Sequence, residues 1–301
     1  RESWQVAEAF VESLEHGVSE EILGRVNKVE HESDESTQQK AKELTDFLGK
    51  RFEFEENMDP MQHEIAIKNN LVDNFLVRGE NGEISSLLQS KLVELPPSTP
   101  EGVSEVMYGV WYVATDPEYK GEPVTRELFV KSFRTSLEKA KQNLQKFTGM
   151  IGETESEVEG LFNRYGNLRR PYYENREGQI VEVPFEVPPE DESNKGVPEH
   201  LMIRFFDNKA EIKRDDLFRM IDSIFSEYVR PEFFTPEYLK FAAEYYGEDT
   251  DPSSITIARA ERYRQSYVKL ADKIRGKMAK TLENNMAVDR ISFLSRRELK
   301  V

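Results

Sequence analysis

Residues 233–286 read FFTPEYLKFAAEYYGEDTDPSSITIARAERYRQSYVKLADKIRGKMAKTLENNM. Two helix starts of one kind stand in this stretch. Thr235 before Pro236, and Asp251 before Pro252, each set a capping side chain ahead of a proline at the first helical position. The first helix is predicted over 237–246, short and aromatic, and Gly247 with the acids to Asp251 ends it. The second is predicted over 253–285. Its apolar residues Ala260, Tyr263, Tyr267, Leu270, Ile274, Met278 and Leu282 recur in steps of three and four, one stripe of an amphipathic helix. The rest of the chain is expected to supply what these helices pack against.

The same stretch carries a charge anomaly. Residues 258–301 hold 12 Lys and Arg against 5 Asp and Glu, a local +7 in a chain whose net charge is −16. Such asymmetry suggests an anionic partner for the basic end. It is equally what basic residues do when they complement helix C-termini. A chain of 301 residues, 38% hydrophobic and 33% charged, makes one large domain or two ordinary ones with a lean core and an ionic surface. No run approaches the ~20 apolar residues of a membrane helix. The opening RESWQVAEAF is an amphipathic helix rather than a signal peptide. Its first residue, Arg1, implies a processed product or a fragment. The absence of cysteine excludes disulfides, thiolate metal ligands and thiol nucleophiles.

Residues 1–57 form three small apolar faces: Val6, Phe10 and Leu14; Ile22, Leu23, Val26 and Val29; Ala41, Leu44, Phe47 and Leu48. Each is marginal as an isolated helix, so they are expected to form an N-terminal arm, with 30–35 a solvated linker. Three helical patterns follow over 61–77, 84–95 and 103–114. A strong amphipathic helix is predicted over 125–148 and a shorter one over 156–165. Residues 167–189 are proline-rich, and Ile180, Val183 and Phe185 read as an edge strand, since Pro184 forbids a central one. Residues 201–214 give a weak hairpin about Asp207-Asn208. A helix over 215–229 follows. Residues 58–286 thus make a mostly helical core and 287–301 a basic tail.

Catalytic patterns are not found. The histidines stand at 16, 31, 63 and 200, and His63-Glu64 lacks a second histidine because position 67 is Ile. No glycine-rich phosphate loop and no nucleophile elbow is recognised. Among 57 acids, adjacent carboxylates carry almost no signal. No enzyme, cofactor or metal is therefore expected.

In order and spacing, DLFRMIDSIFSEY, then FFTPEYLKFAAEYY, then ARAERYRQSYVKLADKI resembles the core of coat proteins of flexuous filamentous plant RNA viruses, the potexvirus-like and potyvirus-like group. The matching pieces are Phe218-Arg219, Thr235-Pro236-Glu237 and Phe241 to Tyr246; residues 1–190 lie outside the likeness. The resemblance implies a mainly α fold, a helical core with a small β-hairpin and extended N- and C-terminal arms. It implies a structural coat protein that assembles with copies of itself into a flexible filament around single-stranded RNA, in a virion and the host cytoplasm, with no membrane partner. Carried over by position, Arg219 and Glu244 form its RNA pocket, with Glu where the family has Asp. Arg259, Arg262, Lys269, Lys273, Arg275, Lys277 and Lys280 line the long helix and meet phosphates without base preference. The alternative is a non-viral helical scaffold whose basic C-terminus docks an acidic partner.

Overall fold

The computed structural model describes residues 2–18, 20–51, 58–96, 102–117, 124–154, 168–188, 197–207, 209–247 and 252–294. In chain order come α1 (Glu2–Glu15), α2 (Glu20–Arg25), β1 (Asn27–Val29), α3 (Asp34–Leu48), α4 (Pro60–Lys68), β2 (Asp73–Arg78), β3 (Ile84–Leu95), β4 (Glu105–Thr115), α5 (Val124–Gln142) and β5 (Lys146–Thr154). Then follow β6 (Arg170–Glu174), β7 (Ile180–Glu182), β8 (Phe185–Val187), β9 (Val197–Phe205), β10 (Glu211–Ile212), α6 (Arg214–Tyr228), α7 (Pro236–Tyr245), α8 (Ile257–Asn285) and β11 (Ile291–Leu294). A seven-stranded sheet runs β1-β2-β3-β4-β5-β9-β8, and a four-stranded sheet runs β10-β11-β6-β7.

The expectation of a mainly α fold is therefore corrected: this is an α/β chain built around a mixed sheet. The correction falls on 61–114. Residues 84–95 and 103–114, read as helices, are β3 and β4 at the sheet's centre. Both faces of β3 are covered, and all but two of its twelve residues are buried. A strand buried on both faces loses the alternation that would mark it, and its leucines then fall in helix-like steps by coincidence. Residues 61–77 divide into α4 and β2. The divider is Asn69-Asn70, where Asn70 takes a left-handed φ of 52° and turns the chain.

The sheet has two helical covers. On one face α1 and α5 bury Phe75, Val77, Leu88, Val106, Tyr108 and Val110. Phe133 of α5 is the hub of this side, its ring 5.2 Å from Phe10, 5.1 Å from Tyr108, 5.3 Å from Phe147 and 5.7 Å from Phe206. On the other face α3 covers Leu76 and Leu87, while α6 and α8 cover Met107, Ile151, Leu201 and Ile203. The described part of the segment 1–57, expected as an arm, lies in these covers: Ala7, Phe10 and Val11 are buried against α5, and β1 pairs with β2. The expected linker holds the start of α3, capped by Ser33. The basic tail holds β11, which pairs with both β10 and β6 and buries Ile291 and Phe293.

Several local readings meet the structure directly. Thr235 caps α7 with Pro236 behind it, α6 stands where a helix was predicted, and α5 does so up to Gln142; the predicted helix to 148 is cut short at the left-handed Leu144, and Lys146 begins β5. α8 begins later than expected, capped by Thr256, because Pro252 starts a single turn of 3-10 helix instead. β8 forms the edge beyond β9, with Pro184 between β7 and β8. The expected hairpin is corrected: β9 belongs to the large sheet and β10 to the small one. The helix predicted over 156–165 and the capping residue Asp251 lie outside the described residues.

Candidate active site where two parallel strands part

β4 and β5 are joined through α5 and run parallel, as a crossover helix requires. Their pairing runs from Glu105/Lys146 to Val110/Gly152 and ends there, although β4 continues to Thr115 and β5 to Thr154. Among the described residues, no strand pairs with 111–115 on the β5 side. The parting coincides with a bulge. Ser90 opposes Val110 and Gln89 opposes Tyr112, so Trp111 is an extra residue in β4. A bulge bends its strand and raises its twist, which turns β4 away from β5. Gly109 makes the bulge possible: a Cβ there would stand 2.4 Å from the Trp111 ring.

In an open α/β sheet, ligands bind beyond the carboxyl ends of parallel strands. α5 begins past that end of β4, so its amino terminus, the positive end of the helix dipole, serves this side. The connection carries Lys120 and Gly121 in its sequence; residues 118–123 lie outside the described part.

A layer of ionisable side chains lies beside the parting, between the sheet and α6. Glu153, the residue after the last paired glycine of β5, accepts a hydrogen bond of 2.6 Å from the Tyr228 hydroxyl. Loss of water pushes its carboxyl up to about 7; the Tyr228 bond opposes that shift and the charge of Glu199 adds to it. The Tyr228 hydroxyl is in turn raised, first by burial and then by Glu153. Two strands over, Lys91 of β3 is in contact with Glu227 of α6, and Arg230 holds the same carboxylate at 3.1 Å. Burial, then Arg230, pushes the Lys91 ammonium down to about 7, against the pull of Glu232 and Glu94. A carboxyl that changes protonation near neutral pH beside an open strand edge is placed to move a proton.

Sequence reasoning missed Glu153 because it is one acid among 57. The available signal was its setting, FTGMIGE, a glutamate closing an apolar run with two glycines. Gly149 is demanded by packing, since a Cβ there would lie 2.1 Å from the Arg204 carbonyl oxygen.

The residues proposed from sequence lie elsewhere. Arg219, on α6, donates to the Pro96 carbonyl and to Asp216 at 3.2 Å, and sits 3.9 Å from Glu105. It lines a cleft at the amino ends of β4 and β5 with Lys146, Phe205 and Asp207. Glu244 is exposed on α7, and the expected Arg219–Glu244 pair is not formed. Arg219 has carboxylates nearer to it in its own helix and in β4. On α8, Arg275 grips Asp222, Lys277 holds Glu186 at 2.5 Å and Arg259 donates to Ser254. Arg262, Lys269, Lys273 and Lys280 are exposed. His63 is fully buried beside Gln89, and burial pushes its imidazole down to about 3. A second cleft lies between α3 and α7, lined by Asp46, Asp59, Tyr245 and Tyr246.

No protein-family model and no curated protein matches the chain. Solved structures similar to it include Arabidopsis thaliana NAA60 in complex with acetyl-CoA, at 8% identity over 61% of this chain and 98% of that one, TM-score 0.38. Another is a ribosomal-protein-alanine N-acetyltransferase from Brucella melitensis, at 11% identity over 47% and 88%, TM-score 0.33. A third is a putative GNAT-family acetyltransferase from Bacteroides thetaiotaomicron, at 15% identity over 60% and 86%, TM-score 0.35. At such scores the likeness stays a similarity and bears no weight for activity.

The coat-protein resemblance is nevertheless overturned. A seven-stranded mixed sheet replaces the helical core it implies. With it go the filament-forming function, the reading as a non-enzyme and the scaffold alternative. The virion and host-cytoplasm locations rested on that resemblance and have no separate support. No helix among the described residues is long and apolar enough to cross a membrane.

Proposed function

We propose that this chain is an acyltransferase that moves an acyl group from a phosphate-bearing thioester to an amine. Acetyl-CoA, the ligand named for one of the similar structures, is the donor to test first. The observation that carries the reading is the parting of β4 from β5 beside Glu153.

Three features of this chain fit such a donor. The edge of β4 beyond Val110 offers main-chain groups to an extended amide-bearing arm, as sheet edges do for peptides. The amino terminus of α5 suits phosphate oxygens. Glu153 accepts the proton of the incoming amine, and Tyr228 holds its carboxyl in place. The donor supplies an activated carbonyl and a thiolate leaving group. Burial keeps Glu153 basic enough for the exchange, since a carboxylate with an ordinary pKa is a poor proton acceptor at neutral pH.

The test is release of free thiol from acetyl-coenzyme A in the presence of a panel of primary amines, with donor binding followed by calorimetry. Amine-dependent thiol release that falls at least a hundredfold in Glu153→Gln is the expected result. Donor binding without thiol release for any amine would make the opening between β4 and β5 a binding site only. Absence of both overturns the reading.

A further inference from the structure

The charge anomaly of the C-terminal segment acquires a shape in α8. Arg262, Lys269, Lys273 and Lys280 are separated by seven, four and seven residues. At about 100° per residue they fall within about 20° of one line, and at 1.5 Å per residue the row is about 27 Å long. All four are exposed, and among the described residues no ion pair or side-chain hydrogen bond engages any of them. Other α8 cations are engaged: Arg264 with Glu261 and the Val229 carbonyl, Arg275 with Asp222, Lys277 with Glu186. The buried stripe of Ala260, Ala271, Ile274, Met278 and Leu282 lies on the opposite side of the helix, so the row faces away from the body.

The flanks differ. About 60° round on one side stand Arg259 and Lys277, and about 100–140° round the half-exposed rings of Tyr263 and Tyr267, which contact each other and Phe234. On the other side stand the acids Glu261, Asp272 and Glu283. Four cations thus stand in line, without an ion pair among the described residues, on a chain of net charge −16.

We propose that this face of α8 binds the phosphate backbone of single-stranded nucleic acid, without base specificity. The inference is independent of acyl transfer. Charge complementarity selects a linear polyanion: the row is a line of cations about 27 Å long, which a flexible strand with one charge per nucleotide can follow. Arg and Lys neutralise phosphates and release counterions, while aromatic rings at one flank receive bases that a duplex would keep stacked inside. The acids on the other flank set the side on which the bases lie.

The test is fluorescence anisotropy with a mixed-sequence twenty-nucleotide single strand and its duplex, between 50 and 200 mM salt. With four contacts the logarithm of affinity should fall with that of salt at a slope near −3, a loss of about fiftyfold across this range. The quadruple variant R262A/K269A/K273A/K280A should lose most of the affinity and of the slope. Its acyl-transfer rate should equal that of the parent, and circular dichroism should confirm its fold. The parent's own slope keeps the test valid should that variant misfold. Failure of the parent to bind the strand at 50 mM salt overturns the proposal, as does unchanged binding by the folded quadruple variant. Tighter binding of the duplex overturns the single-strand assignment.

Discussion

Glu153 is the residue on which activity and stability pull in opposite directions. As proton acceptor it must be deprotonated, so the transfer rate should rise with pH through about 7 and level off above. A rate flat between pH 5.5 and 8.5 would remove it from the reaction. Its stability effect has the opposite sign. The ordinary value of 4.5 is raised to about 7 by folding, so below 4.5 the carboxyl is protonated in both states and costs nothing. Between 4.5 and 7 the unfolded chain ionises first, and folding stability declines with rising pH. Glu153→Gln, which keeps an acceptor for Tyr228, should therefore stabilise the protein at pH 8 by on the order of 1–3 kcal/mol, and hardly at all at pH 4.5. Thermal melts at the two pH values decide this. None of it was legible in the sequence. What sets this glutamate apart is its setting, desolvated at the end of β5 with the Tyr228 hydroxyl on its carboxyl, and that setting is a property of the fold.

Helices were legible and central strands were not. Thr235 with Pro236 marked the start of α7, and of the three-and-four stripe of α8 Ala260, Ile274, Met278 and Leu282 are buried while Tyr263, Tyr267 and Leu270 are half-buried. A cap is local chemistry, and an amphipathic helix shows water on one side. β3 and β4 show water on neither, so their sequences carry no period to read. Their glycines are where the strands can be tested. Gly149→Ala would drive a methyl into the Arg204 carbonyl, which belongs to the backbone of β9 and cannot swing aside. We expect a loss of about 3 kcal/mol or more, read as a fall in the denaturant midpoint. Gly109→Ala meets a side chain instead, the Trp111 ring, and should cost less stability but displace the bulge. Its readout is donor affinity. A Gly109→Ala protein that binds donor as the parent does would mean that the bulge does not shape the cleft.

For the whole molecule, the segments read as arms are structural. Phe10 packs its ring against Phe133 and Phe206 on the far side of the sheet from α6. Phe10→Ala should cost about 3–5 kcal/mol, and deletion of residues 1–30 should yield an unstable chain rather than a soluble core. A truncated protein melting within a few degrees of the parent would restore the arm. Short apolar faces separated by polar residues look the same in sequence whether they reach outward or fold back, because the partner surface is made by distant residues.

The place of β11 carries a further consequence. It lies between β10 and β6, so its residues 291–294 must sit beside residues 170–172 and 211–212 before the small sheet exists. The large sheet needs nothing beyond residue 205. During synthesis, then, the first sheet can close while the ribosome is still translating α8, and the second cannot close until residue 294 has left the exit tunnel. A chain stalled before that point carries a folded half and an open edge at β6, with Ile212 short of its neighbour Ile291. For this protein, the edge of β6 toward β10 is thus sealed by the last described strand to be made.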